Sequence, residues 1–195
     1  EDTPLTGHAR SSPIRLRLGI SNEGSAVADE TRFRVEFGAK VTTCANVSLW
    51  TDVDEVTDDD WDMYDSVNLT DETDTTNIAV SSGGVSDENT TFLTPNGGVQ
   101  DVGSRSASTT LDTDEHVDLE FSLTSTANTQ LGTDYCFRVS ADGVDLPTYD
   151  TYAEIETAPQ QDILVQRGTT VISGTSTVLT AGSNYTAPDA TSSAF

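Results

Sequence analysis

The chain has 195 residues, 34% of them hydrophobic, and sets 33 acidic side chains against nine basic ones for a net charge of −24. That length holds one large β domain, or one domain with an appendage. A surface this acidic repels nucleic-acid phosphates and anionic headgroups, which disfavours DNA, RNA and anionic-membrane binding, and it is steadied by salt or divalent ions that screen it.

Residues 1–13 are polar, carry prolines at both ends and read as an extended N-terminal arm. Ile14–Ile20 then alternates apolar and polar residues with a strict period of two, the mark of a strand with one greasy and one wet face. The turn-rich Ser21–Ser25 separates it from a strand expected over 31–38. Cys44–Val53 reads as a third strand ending at Trp50, and 52–62 (DVDEVTDDDWD) as a solvated acidic loop. Residues 65–104 are poor in apolar positions, with short strands near 77–80 and 91–93 and a turn at Pro95–Gly98. Strands resume at 107–112, 116–124, 134–141 and 148–156. No stretch has a helical period, so the class is all-β, antiparallel and two-layered.

After Pro159 the texture changes. Residues 162–181 give two or three short β runs around Gly168 and Gly174, and no acid lies between Asp162 and Asp189. We therefore divide the chain into the arm at 1–13, a β-sandwich over 14–157 and a C-terminal β-hairpin appendage over 158–195. The appendage could equally begin a next module or serve as a donor segment. Neither terminal piece has enough core to fold alone, so assembly by strand addition through a terminal segment is expected. The chain starts at Glu1 with no signal-like segment and no apolar run of membrane-spanning length, which reads as a processed or excised form.

Cys44 and Cys136 are the two cysteines. An extracellular sandwich often ties its sheets with one such pair, and a disulfide is the expectation. Two unrelated buried thiols are the alternative. Metal ligation lacks a CxxC spacing or a nearby histidine.

Candidate chemistry is sparse. His8 lies in the arm and His116 enters a strand, with no HExxH, GxSxG or Cys–His pairing, so no catalytic residue and no required cofactor is expected. Carboxylates crowd 52–62, and Asp54, Asp58, Asp60 and Asp62 are the candidate calcium ligands. Asp71, Glu72 and Asp74 form a second group, and neither group has EF-hand spacing. Asn46, Asn68, Asn89 and Asn184 open N-x-S/T sequons and are candidate glycan acceptors. Lys40, the sole lysine, would need burial beside an acid to form an isopeptide bond and reads instead as a solvated charge.

RLRLGISNEGS at 15–25, Cys44 followed by Trp50, DENTTFLTPNGGV at 87–99 and DYCFRVSADG at 134–143 together resemble a Thr-rich immunoglobulin-like module. Such modules recur in secreted surface proteins of environmental bacteria and archaea, and the tail pattern VQRGTTVISGTSTVLTAG resembles the segment that follows them. The resemblance implies an antiparallel immunoglobulin-like sandwich, an extracellular location and tandem or polymeric use. Function is thus expected to be that of a non-enzymatic structural subunit of a filament, stalk or surface layer whose partners are copies of itself. The alternative is a carbohydrate-binding or adhesive module, which would present exposed aromatics chosen from Trp50, Trp61, Tyr64, Tyr149 and Tyr152 to surface glycans.

Overall fold

The alternating runs become the central strands. A computed structural model of the chain describes residues 3–54, 59–77, 91–94, 98–99, 104–160, 165–167 and 170–172. Its strands are β1 (Leu5–His8), β2 (Pro13–Ser21), β3 (Ala28–Thr31), β4 (Phe33–Ala39), β5 (Thr51–Asp52), β6 (Trp61–Met63), β7 (Thr91–Phe92) and β8 (Gly98–Val99). They continue with β9 (Thr109–Leu111), β10 (Glu115–Ser125), β11 (Asp134–Ala141), β12 (Val144–Asp145), β13 (Ala153–Thr157), β14 (Val165–Arg167) and β15 (Thr170–Ile172). No α-helix occurs among the described residues.

A six-stranded sheet runs β1-β13-β11-β4-β5, with β12 also on β11; a five-stranded sheet runs β2-β10-β6, with β7 and β8 also on β10. Period-two alternation places Val117, Leu119, Phe121 and Leu123 of β10 opposite Tyr135, Phe137 and Val139 of β11 in one buried core, completed by Leu16, Val35, Trp61 and Ile155. Each such side chain contributes about 1.5–3 kcal/mol on burial.

The backbone pairing departs from an all-antiparallel expectation. β1 adds to β13 in parallel, and β7 and β8 both add to β10 in parallel. For β7 and β8 the setting is β10, whose one edge is filled along its length by β2. Its other edge is closed piecemeal: the Leu93 and Tyr64 amides donate to the carbonyls of His116 and Ser122, and the Thr75 hydroxyl donates to that of Asp118. The segment around 65–99 is poor in apolar positions, and among its described residues short pieces satisfy the edge.

Three sequence expectations change. Cys44–Asn46 is a 3-10 turn, and 47–50 is an extended strap, so the expected third strand shrinks to β5. The strap lies against β4 at Gly38, where a side-chain Cβ would stand 2.4 Å from Val47 Cγ1 and 2.7 Å from the Leu49 carbonyl. Residues 148–152 form no strand; β13 starts at Ala153. There the Tyr149 hydroxyl accepts from the Leu146 amide at 2.9 Å and donates to the Val139 carbonyl at 2.8 Å, closing a loop. Finally, the polar arm is not free, because Leu5–His8 is an edge strand.

The chain divides into two compact units, Glu1–Pro159 and Gln160–Phe195. In the second, β14 pairs antiparallel with β15 in the register Val165↔Ile172. The expected short strand near 77–80 and the turn at 95–98 fall largely outside the described residues.

Candidate functional site

The outer face of the six-stranded sheet carries the densest chemistry. Along β11 the residues facing away from the core are Cys136, Arg138 and Ser140, all buried by what covers them. Cys44 and Cys136 form a disulfide with Cα atoms 5.5 Å apart, and Val47, Trp50 and Tyr152 pack around it. The bond therefore clamps the 44–50 strap onto the face of one sheet, rather than tying the two sheets together, because Cys136 points away from the shared core.

Trp50 stacks on Tyr152 at 5.8 Å between ring centroids, and Tyr152 stacks on Tyr149 at 5.6 Å. The Arg138 guanidinium sits 4.4 Å from the Trp50 ring centroid and 5.3 Å from that of Tyr149. Its Nε donates to Glu36 Oε2 and its Nη2 to Asp145 Oδ1, both at 2.6 Å. Burial works against the Arg138 charge, but the bonds to Asp145 and Glu36 outweigh it and raise its pKa. Ion pairs extend outward on this face: Arg34 reaches Asp52 and Asp142, and Lys40 reaches Glu154. Lys40 is thus an ion-pair partner at the strand end.

Of the five aromatics named as a ligand platform, Trp50, Tyr149 and Tyr152 converge here. They are half-buried and turn their faces toward one another and Arg138 rather than outward. Trp61 is fully buried in the core, edge-on to Phe137 and Tyr135, so it cannot serve as an exposed platform ring. Tyr64 is exposed but belongs to the segment that closes β10.

The candidate calcium loop is partly structural. Asp54 and Asp62 meet at an isolated parallel bridge, and the Met63 amide donates to the Asp54 carbonyl at 2.7 Å. Asp60 Oδ2 accepts from the Tyr135 hydroxyl at 2.5 Å; burial, and after it this bond, raises the tyrosine pKa. The Asp60 carbonyl accepts from the Thr126 amide and the Thr129 hydroxyl. Asp58 lies outside the described residues. Among the described residues no group of three or more His, Cys, Asp or Glu side chains is gathered in a metal-holding arrangement. Asp71, Glu72 and Asp74 sit on a turn bonded to β8 through the Glu72 amide and the Gly98 carbonyl.

Two sequon asparagines, Asn46 and Asn68, are exposed on turns, while Asn89 and Asn184 lie outside the described residues. Both histidines are buried. His116 packs on Phe92 at 5.3 Å, and His8 stacks on Trp61 at 5.3 Å with an interplanar angle of 24°.

His8 organises a second site. Its Nε2 lies 3.2 Å from both the Ser12 carbonyl and Ser125 Oγ, and its carbonyl accepts the Ala158 amide at 2.8 Å. Burial lowers its pKa against the opposing pull of the Ser12 carbonyl. The imidazole thus holds the N-terminal strand to the core, while the His8 backbone carbonyl ties it to the residue after β13. The sequence hid this, because a lone histidine in a polar, proline-bounded stretch carries no periodicity. Asp142 and Gly143 take positive φ, 52° and 85°, and form the tight turn that joins β11 to β12.

No helix among the described residues is long and apolar enough to cross a membrane. Comparison with protein-family models, with curated proteins and with solved structures finds no match to this chain.

Proposed function

We propose that this chain is a non-enzymatic, extracellular structural subunit that assembles with copies of itself into a filament, stalk or surface layer. In this reading the first unit is an immunoglobulin-like sandwich, and assembly proceeds by β-strand addition or head-to-tail contact. The observation that carries it is the N-terminal strand itself: a terminal segment of four residues is added to a sheet edge through parallel pairing with β13. Strand addition is a general route to assembly, since it satisfies unpaired edge groups and seats alternate side chains. An intramolecular disulfide accords with an oxidising compartment, and the charge of −24 accords with saline or calcium-containing surroundings.

The test is electron microscopy of purified protein in molar salt, where regular polymers are expected. Monodisperse single bodies at every salt and protein concentration would refute the subunit reading. A second reading, a glycan-binding or adhesive surface module, would have to use Trp50, Tyr149 and Tyr152, whose faces turn toward one another and Arg138 rather than outward. It predicts glycan-array binding that is lost in Trp50→Ala while the fold is retained.

A further inference from the structure

We propose that β1 is exchanged between copies, so that Leu5–His8 of one molecule occupies the β13 edge of the next. This rests on the subunit reading for its purpose and names the strand and the edge that would join the subunits.

The seat is shallow apart from one residue. Leu5, Thr6 and Gly7 are exposed and only His8 is buried. The register Leu5↔Ile155, His8↔Thr157 sets three steps of β1 against two of β13, and the extra residue is absorbed near Gly7 at φ 71°. Such a strand holds few buried contacts and opens at low cost relative to the core. Every contact it breaks is rebuilt identically on a neighbour, because the neighbour presents the same Trp61, Ser125, Ile155 and Thr157. Exchange of an identical element is therefore nearly neutral in contact energy.

The hinge tilts the balance. Residues 9–12 connect β1 of the six-stranded sheet to β2 of the five-stranded sheet. Ser125 Oγ draws the turn closed, donating to the Ala9 carbonyl at 3.1 Å and accepting from the Ser12 amide at 3.4 Å. Inside this turn Ser11 is held at φ 57°, a left-handed conformation that a β-carbon disfavours. Extending the hinge lets Ser11 return to the β region, and a short strained hinge is the feature that promotes swapping. Four extended residues span about 13–14 Å, so donor and acceptor bodies must abut. Passed on in one direction, the exchange gives an open fibre, whereas reciprocal exchange closes a dimer. Repulsion between two bodies of charge −24 makes the contact dependent on salt.

Two hinge substitutions with opposite expected effects test the proposal. Ser11→Gly removes the left-handed penalty and is expected to weaken assembly about five- to tenfold in concentration. Ser11→Pro cannot take φ 57° and is expected to strengthen it. Multi-angle light scattering across a protein dilution series in molar salt reads both. Strand position is read separately by mixing Leu5→Cys protein with Ile155→Cys protein and mapping non-reduced peptides. A cross-link between these two positions forms only if β1 of one chain lies on β13 of another. If Ile155→Cys fails to fold, the opposed hinge variants still decide.

Assemblies that carry the cross-link and respond to the hinge in these directions support the exchange. Polymers that form without the cross-link, or that ignore both hinge variants, overturn it and leave the subunit reading standing. Cross-linked species that stop at dimers support the exchange and count against a filament.

Discussion

Gly38→Ala is expected to lift the 47–50 strap from the sheet and destabilise the first unit. The new Cβ would stand 2.4 Å from Val47 Cγ1 and 2.7 Å from the Leu49 carbonyl, with Trp50 Cε3 at 3.7 Å. Ordinary carbon contacts fall near 3.5–4.0 Å, so the strap must retreat by about 1 Å. The Leu49 contact is with backbone, and no rotamer change relieves it. The strap is also pinned by the disulfide at Cys44 and by Trp50 under Arg138, so the shift loosens the stack as well. Overpacking of this kind costs about 1–3 kcal/mol, which for a domain of this size is roughly 3–10 °C in Tm. Differential scanning calorimetry gives the melt, and near-UV circular dichroism gives the Trp50 environment. Gly143→Ala is the control: with φ at 85° and nothing within 4 Å of its Cβ, it carries only the conformational penalty. In the double variant with Val47→Ala the Cγ1 clash goes and the carbonyl clash stays, so partial rescue of about 0.5–1 kcal/mol is expected. An unchanged Tm for Gly38→Ala, or full rescue by Val47→Ala, would refute the strap contact as drawn.

Replacing Cys44 and Cys136 together by serine opens a covalent loop with a sequence separation of 92; the loop-entropy relation gives about 4–5 kcal/mol, to be read from urea unfolding. His8 is expected to make the fold acid-sensitive. Burial depresses its folded pKa below 6.5, so the stability it contributes is present above the unfolded value and is lost as pH falls through the folded one. His8→Phe should flatten that acidic limb in a Tm-against-pH series, and a limb unchanged by the substitution would exclude His8 as its source. If the 52–62 loop holds calcium, chelation lowers Tm by several degrees at constant ionic strength, and an unchanged melt reduces the loop to a screened acidic turn.

The long strands were legible because their information is local. Ile14–Ile20, Phe33–Phe37, Val117–Leu123 and Tyr135–Val139 each alternate strictly, and each lies within a strand with its apolar set in the core. A period of two needs no partner to be read. The disulfide was expected from residue count and class, yet its placement on the outer face of one sheet was not, since that depends on which face of β11 Cys136 takes. Trp61 looked like a surface ring among aspartates; the bridge between Asp54 and Asp62 turns it inward onto Phe137. The strap at 44–50 looked like a strand by composition, but Gly38 offers a face with no side chain, so the segment packs on the sheet there. His8 gave no signal at all, because its role depends on Trp61, Ser125 and Ala158, which are 53, 117 and 150 residues away. Local alternation determines which segments become strands. Which edge a short polar segment closes, and which face a lone side chain serves, depends on groups distant in sequence, and only the tertiary structure brings those together.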